Sequence, residues 1–196
     1  MVKNKQVKNI FLSAGVPTID RPSKYYDTAD VIAIRDSVIA LASTVLAVKE
    51  YHLIWGGQPA ITPLIALVLE RYNLMMANKV TLYQSYGVES FPKENANVGH
   101  IIYTEKRENI EASLLLMRSK MIGENDYYAA VFIGGMEGVE KEFEMFKELH
   151  PDVPCLPIAS TGAAAKILYN EHLGEFDERL LTEMSYTSLF KELLRL

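Results

Sequence analysis

Short apolar runs alternate with longer amphipathic ones along this chain, the order expected of parallel strands joined by crossover helices. Six runs have strand length and are enriched in β-branched and aromatic residues: Asn9–Ala14, His52–Trp55, Val80–Ser85, Gly99–Thr104, Tyr128–Ile133 and Cys155–Ser160. Helical spacing fills the intervals. From about Thr28 to Lys49 the stripe Ile34, Val38, Leu41, Val45 and Val48 keeps one face apolar. Ala60–Tyr72 is apolar all round, which predicts a deeply buried helix. Glu105–Met121 carries Ile110, Leu114, Met117 and Met121, and Glu137–Leu149 is strongly amphipathic. Another helix opens near Thr161-Gly162, and the tail 178–196 reads as one or two amphipathic helices. Long loops are expected at 15–30 and around Phe91-Pro92. The pattern predicts one α/β domain over residues 1–196: a doubly wound, Rossmann-like, mostly parallel sheet of about six strands flanked by helices. Ligands of such folds sit at the carboxyl ends of the strands.

Composition narrows the class. The 196 residues are 49% apolar and 23% charged, too apolar for a disordered chain, and 11 Gly with 8 Pro exclude a fibrous repeat. The longest apolar stretches, Val38–Val48 and Ala60–Leu69, are shorter than the roughly 18–20 residues of a spanning helix, so no membrane partner is expected. Cys155 is the single cysteine and has no intramolecular disulfide partner, which suggests a reducing, cytoplasmic setting. It begins a strand and reads as a small buried hydrophobe, not a nucleophile. His52, His100, His150 and His172 lack metal-ligand spacing, and no metal or cofactor is expected. A net charge of −5 without a basic run argues against nucleic acid as a partner.

The candidate chemistry lies at four strand ends: Ser13-Ala14-Gly15, Gly56-Gly57-Gln58-Pro59, Gly134-Gly135-Met136-Glu137-Gly138 and Ser160-Thr161-Gly162. Glycine allows close backbone approach, and the free N–H groups of a helix start favour an anion. Two glycine pairs and two further glycine-bearing ends in one sheet point to a phosphate-bearing ligand. Neither the dinucleotide fingerprint G-x-G-x-x-G nor the P-loop G-K-[ST] occurs, which disfavours hydride transfer and ATP hydrolysis.

Three further features bear on this rim. Glu142 falls within the apolar arc Val139, Phe143, Phe146, Leu149, where a carboxylate is desolvated or faces a cavity; burial there is expected to raise its pKa. Arg118 borders the apolar stripe of the preceding helix, within reach of a phosphate or of Glu142. The loop with Arg21, Lys24, Tyr25 and Tyr26 can form a lid that stacks on a base, and Gln84 and Ser85 end the third strand.

These residues resemble the SLOG superfamily, which includes the "lonely guy" nucleotide phosphoribohydrolases, the DprA/Smf proteins and domains of prokaryotic conflict systems. The run MRSKMIGENDYYAAVFIGGMEGVEKEFEMF is similar to its core. Arg118 matches the motif arginine, Gly134-Gly135 the paired glycines, Gly138 the third glycine and Glu142 the closing glutamate. The segment Gly56 to Ile65, with Thr62 inside it, resembles the earlier Gly-rich phosphate loop. FLSAGVP, GGQPAITPLI and FIGGMEGVEKEFEMF together are most similar to the conflict-associated branch. Departures are Ile133 in place of proline, one extra loop residue at Met136 or Glu137, and Val139 in place of threonine. They bear on hydrolysis more than on binding.

The resemblance implies a Rossmann-like domain that binds a nucleotide-derived ligand (a nucleoside phosphate, cyclic nucleotide or ADP-ribose-like molecule) as a sensor or effector of an anti-phage system. The alternative is a phosphoribohydrolase in which Arg118 and Glu142 cleave base from a nucleoside phosphate. A DprA-like nucleic-acid module ranks third. The ligand-binding set comprises Ser13, Gly15, Arg21, Tyr25, Gly56, Gly57, Gln58, Thr62, Ser85, Gly134, Gly135, Met136, Glu137, Gly138, Ser160 and Thr161. A homodimer or higher homo-oligomer, helped by the apolar tail, or an effector partner chain, is the expected context.

Overall fold

The computed structural model describes residues 7–72, 77–88 and 98–196. The loop expected around Phe91-Pro92 lies outside them. Six parallel strands form one sheet: β1 Lys8–Gly15, β2 Tyr51–Trp55, β3 Val80–Ser85, β4 Ile101–Thr104, β5 Ala129–Gly134 and β6 Cys155–Ile158. Their order is β4-β3-β2-β1-β5-β6. The α/β, Rossmann-like fold predicted above is the observed one. β1 stands between β2 and β5, with Ile10 opposite both Leu53 and Ala129, and Gly15 opposite Gly134.

Period-2 alternation splits the core into two layers. Ile10, Leu12, Leu53, Trp55, Val131 and Ile133 face one side, under α2 (Val31–Ala47), α3 (Thr62–Arg71) and α8 (Tyr186–Leu193). Phe11, Ile54, Ala130 and Phe132 face the other, under α4 (Ile110–Gly123), α5 (Glu137–Leu149) and α6 (Ala163–Glu171). On that side Phe11 stacks on Phe146 at 5.3 Å, and Phe132 meets Phe143 edge-on at 5.1 Å. Such aromatic pairs add about 0.5–1.5 kcal/mol each beyond their burial.

Several boundaries differ from the sequence pattern for local reasons. α2 starts after Asp30, whose carboxylate accepts from the Ala33 N–H at 2.9 Å. It stops at Ala47, where the Lys79 ammonium takes the carbonyls of Val45, Leu46 and Val48. α4 begins at Ile110, not Glu105, because Asn109 caps the Ala112 N–H at 2.8 Å. α3 is not buried all round: Ile65, Ala66, Val68 and Leu69 pack inward while Leu67 is exposed. The loop after β1 contains a short helix, α1 (Ser23–Tyr26), fastened by the buried Tyr25. β6 ends at Ile158 and passes into a 3-10 turn, Ala159–Thr161.

The tail forms α7 (Arg179–Thr182) and α8. Leu180, Leu189, Phe190 and Leu194 are buried within the chain itself, and the Leu194 carbonyl accepts from the Tyr51 hydroxyl at 2.8 Å. Those side chains are therefore engaged in the domain's own core. Leu181 and Met184 are the exposed large apolar residues of this stretch.

At the opposite end of the sheet from the strand carboxyl ends, His52 Nε2 lies 2.8 Å from Thr81 Oγ1, which lies 3.1 Å from His100 Nδ1. Burial first, then the neighbouring His100 and Lys79, push the His52 pKa down to about 4. A depressed folded-state pKa means the unfolded chain takes the proton first as pH falls. Stability is therefore expected to drop as pH falls from about 6.5 through about 4, by roughly 1–2 kcal/mol after solvent screening. Urea unfolding at pH 7, 5.5 and 4 should show this loss, and His52→Gln should remove it.

Candidate ligand-binding site

The chain runs outward from β1 to β4 in one direction and then returns to place β5 on the other side of β1. The helices that follow these two central strands, α2 and α5, lie on opposite faces of the sheet. That divergence opens a crevice at the carboxyl ends. The crevice is a cavity of about 690 Å³, within the range of small-molecule sites. Its walls are the ends of β1 and β2, Gln84 of β3, the turn into α5, and the first half of α4.

The two glycine-bearing turns meet in this cavity. Gly56, Gly57 and Gln58 line one side; Gly135, Met136, Glu137 and Gly138 line the other. Gly135 has φ +85, and a Cβ there would stand 2.1 Å from a Val139 methyl, so only glycine fits. Its N–H donates to the Gly15 carbonyl at 2.7 Å, which ties the loop to the end of β1. α5 begins directly afterwards with no side-chain cap. First-turn amides of that kind leave the positive end of the helix dipole facing the cavity.

Glu142 and Arg118 are also brought together. Arg118 Nε donates to Glu142 Oε1 at 3.0 Å, and the Ser13 hydroxyl donates to Glu142 Oε2 at 2.5 Å. The Arg118 and Glu142 side chains are only 13% and 12% exposed, and both line the cavity. The carboxylate in the apolar arc of α5 is thus desolvated but ionically paired, and both of its oxygens are engaged. Ser13 is buried behind Glu142 and acts by holding it.

Other expected residues are placed elsewhere. The Tyr25 ring is fully buried among apolar side chains, and its hydroxyl donates to Glu140 Oε2 at 2.6 Å. It anchors the loop and offers no stacking face to the cavity. Arg21, on the same loop, does line it. Thr62 is buried, accepting from Trp55 Nε1 at 3.3 Å. Ser85 is buried and its Oγ accepts from the Gly87 N–H at 3.1 Å. Gly134 is one residue behind the rim. Its N–H donates to Thr161 Oγ1 at 2.9 Å, and Thr161 donates to the Ile158 carbonyl at 2.6 Å. Ser160 donates to the Glu183 carbonyl at 3.0 Å. The last strand end therefore braces the β5 turn and the tail, away from the cavity, because its hydroxyls are spent on backbone partners.

The cavity also has walls that strand-end reading passed over. Trp55 and Ile61 from one face of the sheet, and Leu114 and Met117 from the other, are apolar members of its lining. Trp55 is the last residue of β2, so the rim rule alone could have selected it. Glu111 and Lys141, paired at 3.0 Å across α4 and α5, carry no local signal. The ionisable lining comprises three cations (Arg21, Arg118, Lys141) and three carboxylates (Glu111, Glu137, Glu142). Two of those cations are already paired with carboxylates. No group of three or more His, Cys, Asp or Glu able to hold a metal occurs among the described residues. Cys155 lies on the edge strand β6, remote from the cavity lining, and burial pushes its thiol up to about 12.

A switch-point crevice walled by glycine turns and a partly buried Arg–Glu pair marks the carboxyl-end rim of a Rossmann-like domain. Residues 24–194 match the model of the SLOG cluster3 family, and the chain belongs to that family. The X-ray structure of TM1055, a structural-genomics target, is similar in fold: TM-score 0.62, 14% identity, covering 95% of this chain and 99% of that one. No curated protein matches the chain. No helix among the described residues is long and apolar enough to cross a membrane.

Removing one member of a partly buried ion pair leaves the other facing the cavity with less compensation. Arg118→Met is expected to destabilise the fold by about 1–2 kcal/mol, and Arg118→Met with Glu142→Gln by less than the sum of the two single changes. Denaturant unfolding of the full cycle measures both. Iodoacetamide should leave Cys155 unmodified in the native protein at pH 8, where its thiolate is scarce, and alkylate it rapidly in urea; mass spectrometry reads the difference.

Proposed function

We propose that this domain binds a nucleotide-derived ligand, with the phosphate at the Gly15–Gly135 junction and the α5 start, and the sugar and base toward Trp55 and Met117. The observation that carries the reading is the convergence of the 56–58 and 135–138 turns on one cavity of nucleotide size. The apolar lining suits a heterocycle, and the uncapped start of α5 suits an anion. Sensing is favoured over turnover because Ser13 and Arg118 each hold one oxygen of Glu142, which fixes the carboxylate as part of the cavity wall. In this reading the domain signals through a second copy or a partner chain, as a sensor in a prokaryotic conflict system.

The second reading is N-glycosidic cleavage. It is favoured by the same pair, since an ionised carboxylate on the cavity wall stabilises positive charge developing on a ribose. A thermal-shift screen with AMP, CMP, NAD and ADP-ribose, followed by chromatography for free base, separates the two. A ligand that raises Tm by several degrees with no base released is the expected result. Base release that is abolished in Glu142→Gln would establish cleavage instead. No shift with any nucleotide would refute both.

A further inference from the structure

The two glycine turns are not equivalent as anion sites. At the start of α3 the backbone donors are already used. The Gln58 side-chain Oε1 accepts from the Ala60 N–H at 2.7 Å and the Ile61 N–H at 3.1 Å. The Gln58 carbonyl accepts from the N–H groups of Ile61 and Thr62, both at 3.0 Å, as the Met136 carbonyl does from Val139 and Glu140 in α5, so the difference between the turns is the Gln58 side-chain cap. A phosphate approaching this turn finds no free amide at Ala60, Ile61 or Thr62.

The same contacts orient Gln58. Two N–H donors require the oxygen end of the carboxamide, because a flipped amide would set its NH2 against them. The NH2 is therefore turned away from α3 and toward Gly15. A Cβ built on Gly15 would lie 3.9 Å from Gln58 Nε2 and 3.4 Å from the Gly135 Cα. Gln58, Gly15 and Gly135 all line the cavity. Among the described residues, this NH2 donates to no protein acceptor. It is a fixed donor aimed at the narrow place where β1, β2 and the α5 turn meet, beside the uncapped α5 amides and on the wall shared with Arg21.

We propose that Gln58 grips a phosphoryl oxygen of the ligand through its side-chain NH2, and so replaces the backbone amides that its own oxygen has occupied. This assignment rests on the nucleotide reading of the cavity. Gln58 then has two separable tasks. Its oxygen caps α3, and its nitrogen selects an acceptor. A carboxylate at this position would keep the first task and reverse the second.

Isothermal titration with AMP, GMP, CMP and UMP, and with the nucleoside of the tightest of them, tests this on the full chain. Gln58→Glu should keep or raise Tm, since an oxygen still caps Ala60 and Ile61 and a negative charge suits a helix start. It should weaken the tightest nucleotide at least tenfold and leave the nucleoside unchanged. Gly15→Ala is an independent variant: its methyl would make only ordinary contacts with Gly135 and Gln58, so the fold should persist. It should weaken the same nucleotide by filling the junction. Undiminished nucleotide affinity in Gln58→Glu, or an equal loss for the nucleoside, would overturn the assignment and leave the nucleotide reading standing. If the unaltered protein binds none of the four, and neither NAD nor ADP-ribose, the reading of the cavity falls and the assignment falls with it.

Discussion

The position of β1 is the constraint on which the rest of the molecule depends. It is hydrogen-bonded to β2 on one side and β5 on the other, and the helices that follow β1 and β5 leave to opposite faces. The short α1 packs on the α5 side before the chain crosses into α2, and the crevice lies between these diverging connections. Gly15 and Gly134 are opposite one another at that point, and the Gly135 N–H bonds to the Gly15 carbonyl. The crevice is thus a product of topology. The glycines keep its floor thin, and the Ser13–Glu142–Arg118 cluster fastens β1, α5 and α4 around it.

Electrostatics at this crevice are more balanced than a plain anion receptacle would be. The charged side chains on its walls cancel in number, and the Arg118–Glu142 and Lys141–Glu111 pairs neutralise much of the field locally. What remains favourable to an anion is Arg21, the α5 dipole and the neutral donor of Gln58. Fixed dipoles and hydrogen-bond donors of this kind need no reorganisation when a ligand arrives. The apolar lining residues Trp55, Ile61, Leu114 and Met117 come from both faces of the sheet and offer dispersion contact in place of charge. One cavity therefore carries both charged and apolar lining residues.

Much of the fold was legible because burial on both faces leaves a strong mark on parallel strands. All six strand-length apolar runs coincide with strands to within a few residues, and the amphipathic run Glu137–Leu149 is α5. Errors clustered where one side chain overrides the period. Asp30 and Asn109 move helix starts, and Lys79 ends α2 from a distant part of the chain. The site was legible in its glycines, in Arg118 and in Glu142, since a carboxylate in an apolar arc is conspicuous. Five hydroxyl residues of suitable type do not line the cavity. Ser85, Thr62, Tyr25, Ser160 and Thr161 all have suitable hydroxyls, and all spend them inside the protein.

By itself the sequence determined the layers, the strand count and the helix faces, because alternation and helical spacing are local consequences of which side chains avoid water. It also marked Gly57, Gly134 and Gly135, where positive φ and close neighbours leave no room for a Cβ. Only the tertiary structure decided which strand ends share a rim, since that follows from strand order, and strand order is set by long-range pairing with no local period. The same is true of what each polar side chain does. Whether Thr161 meets a ligand or the Gly134 amide, and which end of Gln58 faces the cavity, depends on partners brought from other elements. A hydrogen bond is decided by the group within 3 Å, and for these residues that group is fixed by packing rather than by a chemical type visible in the sequence.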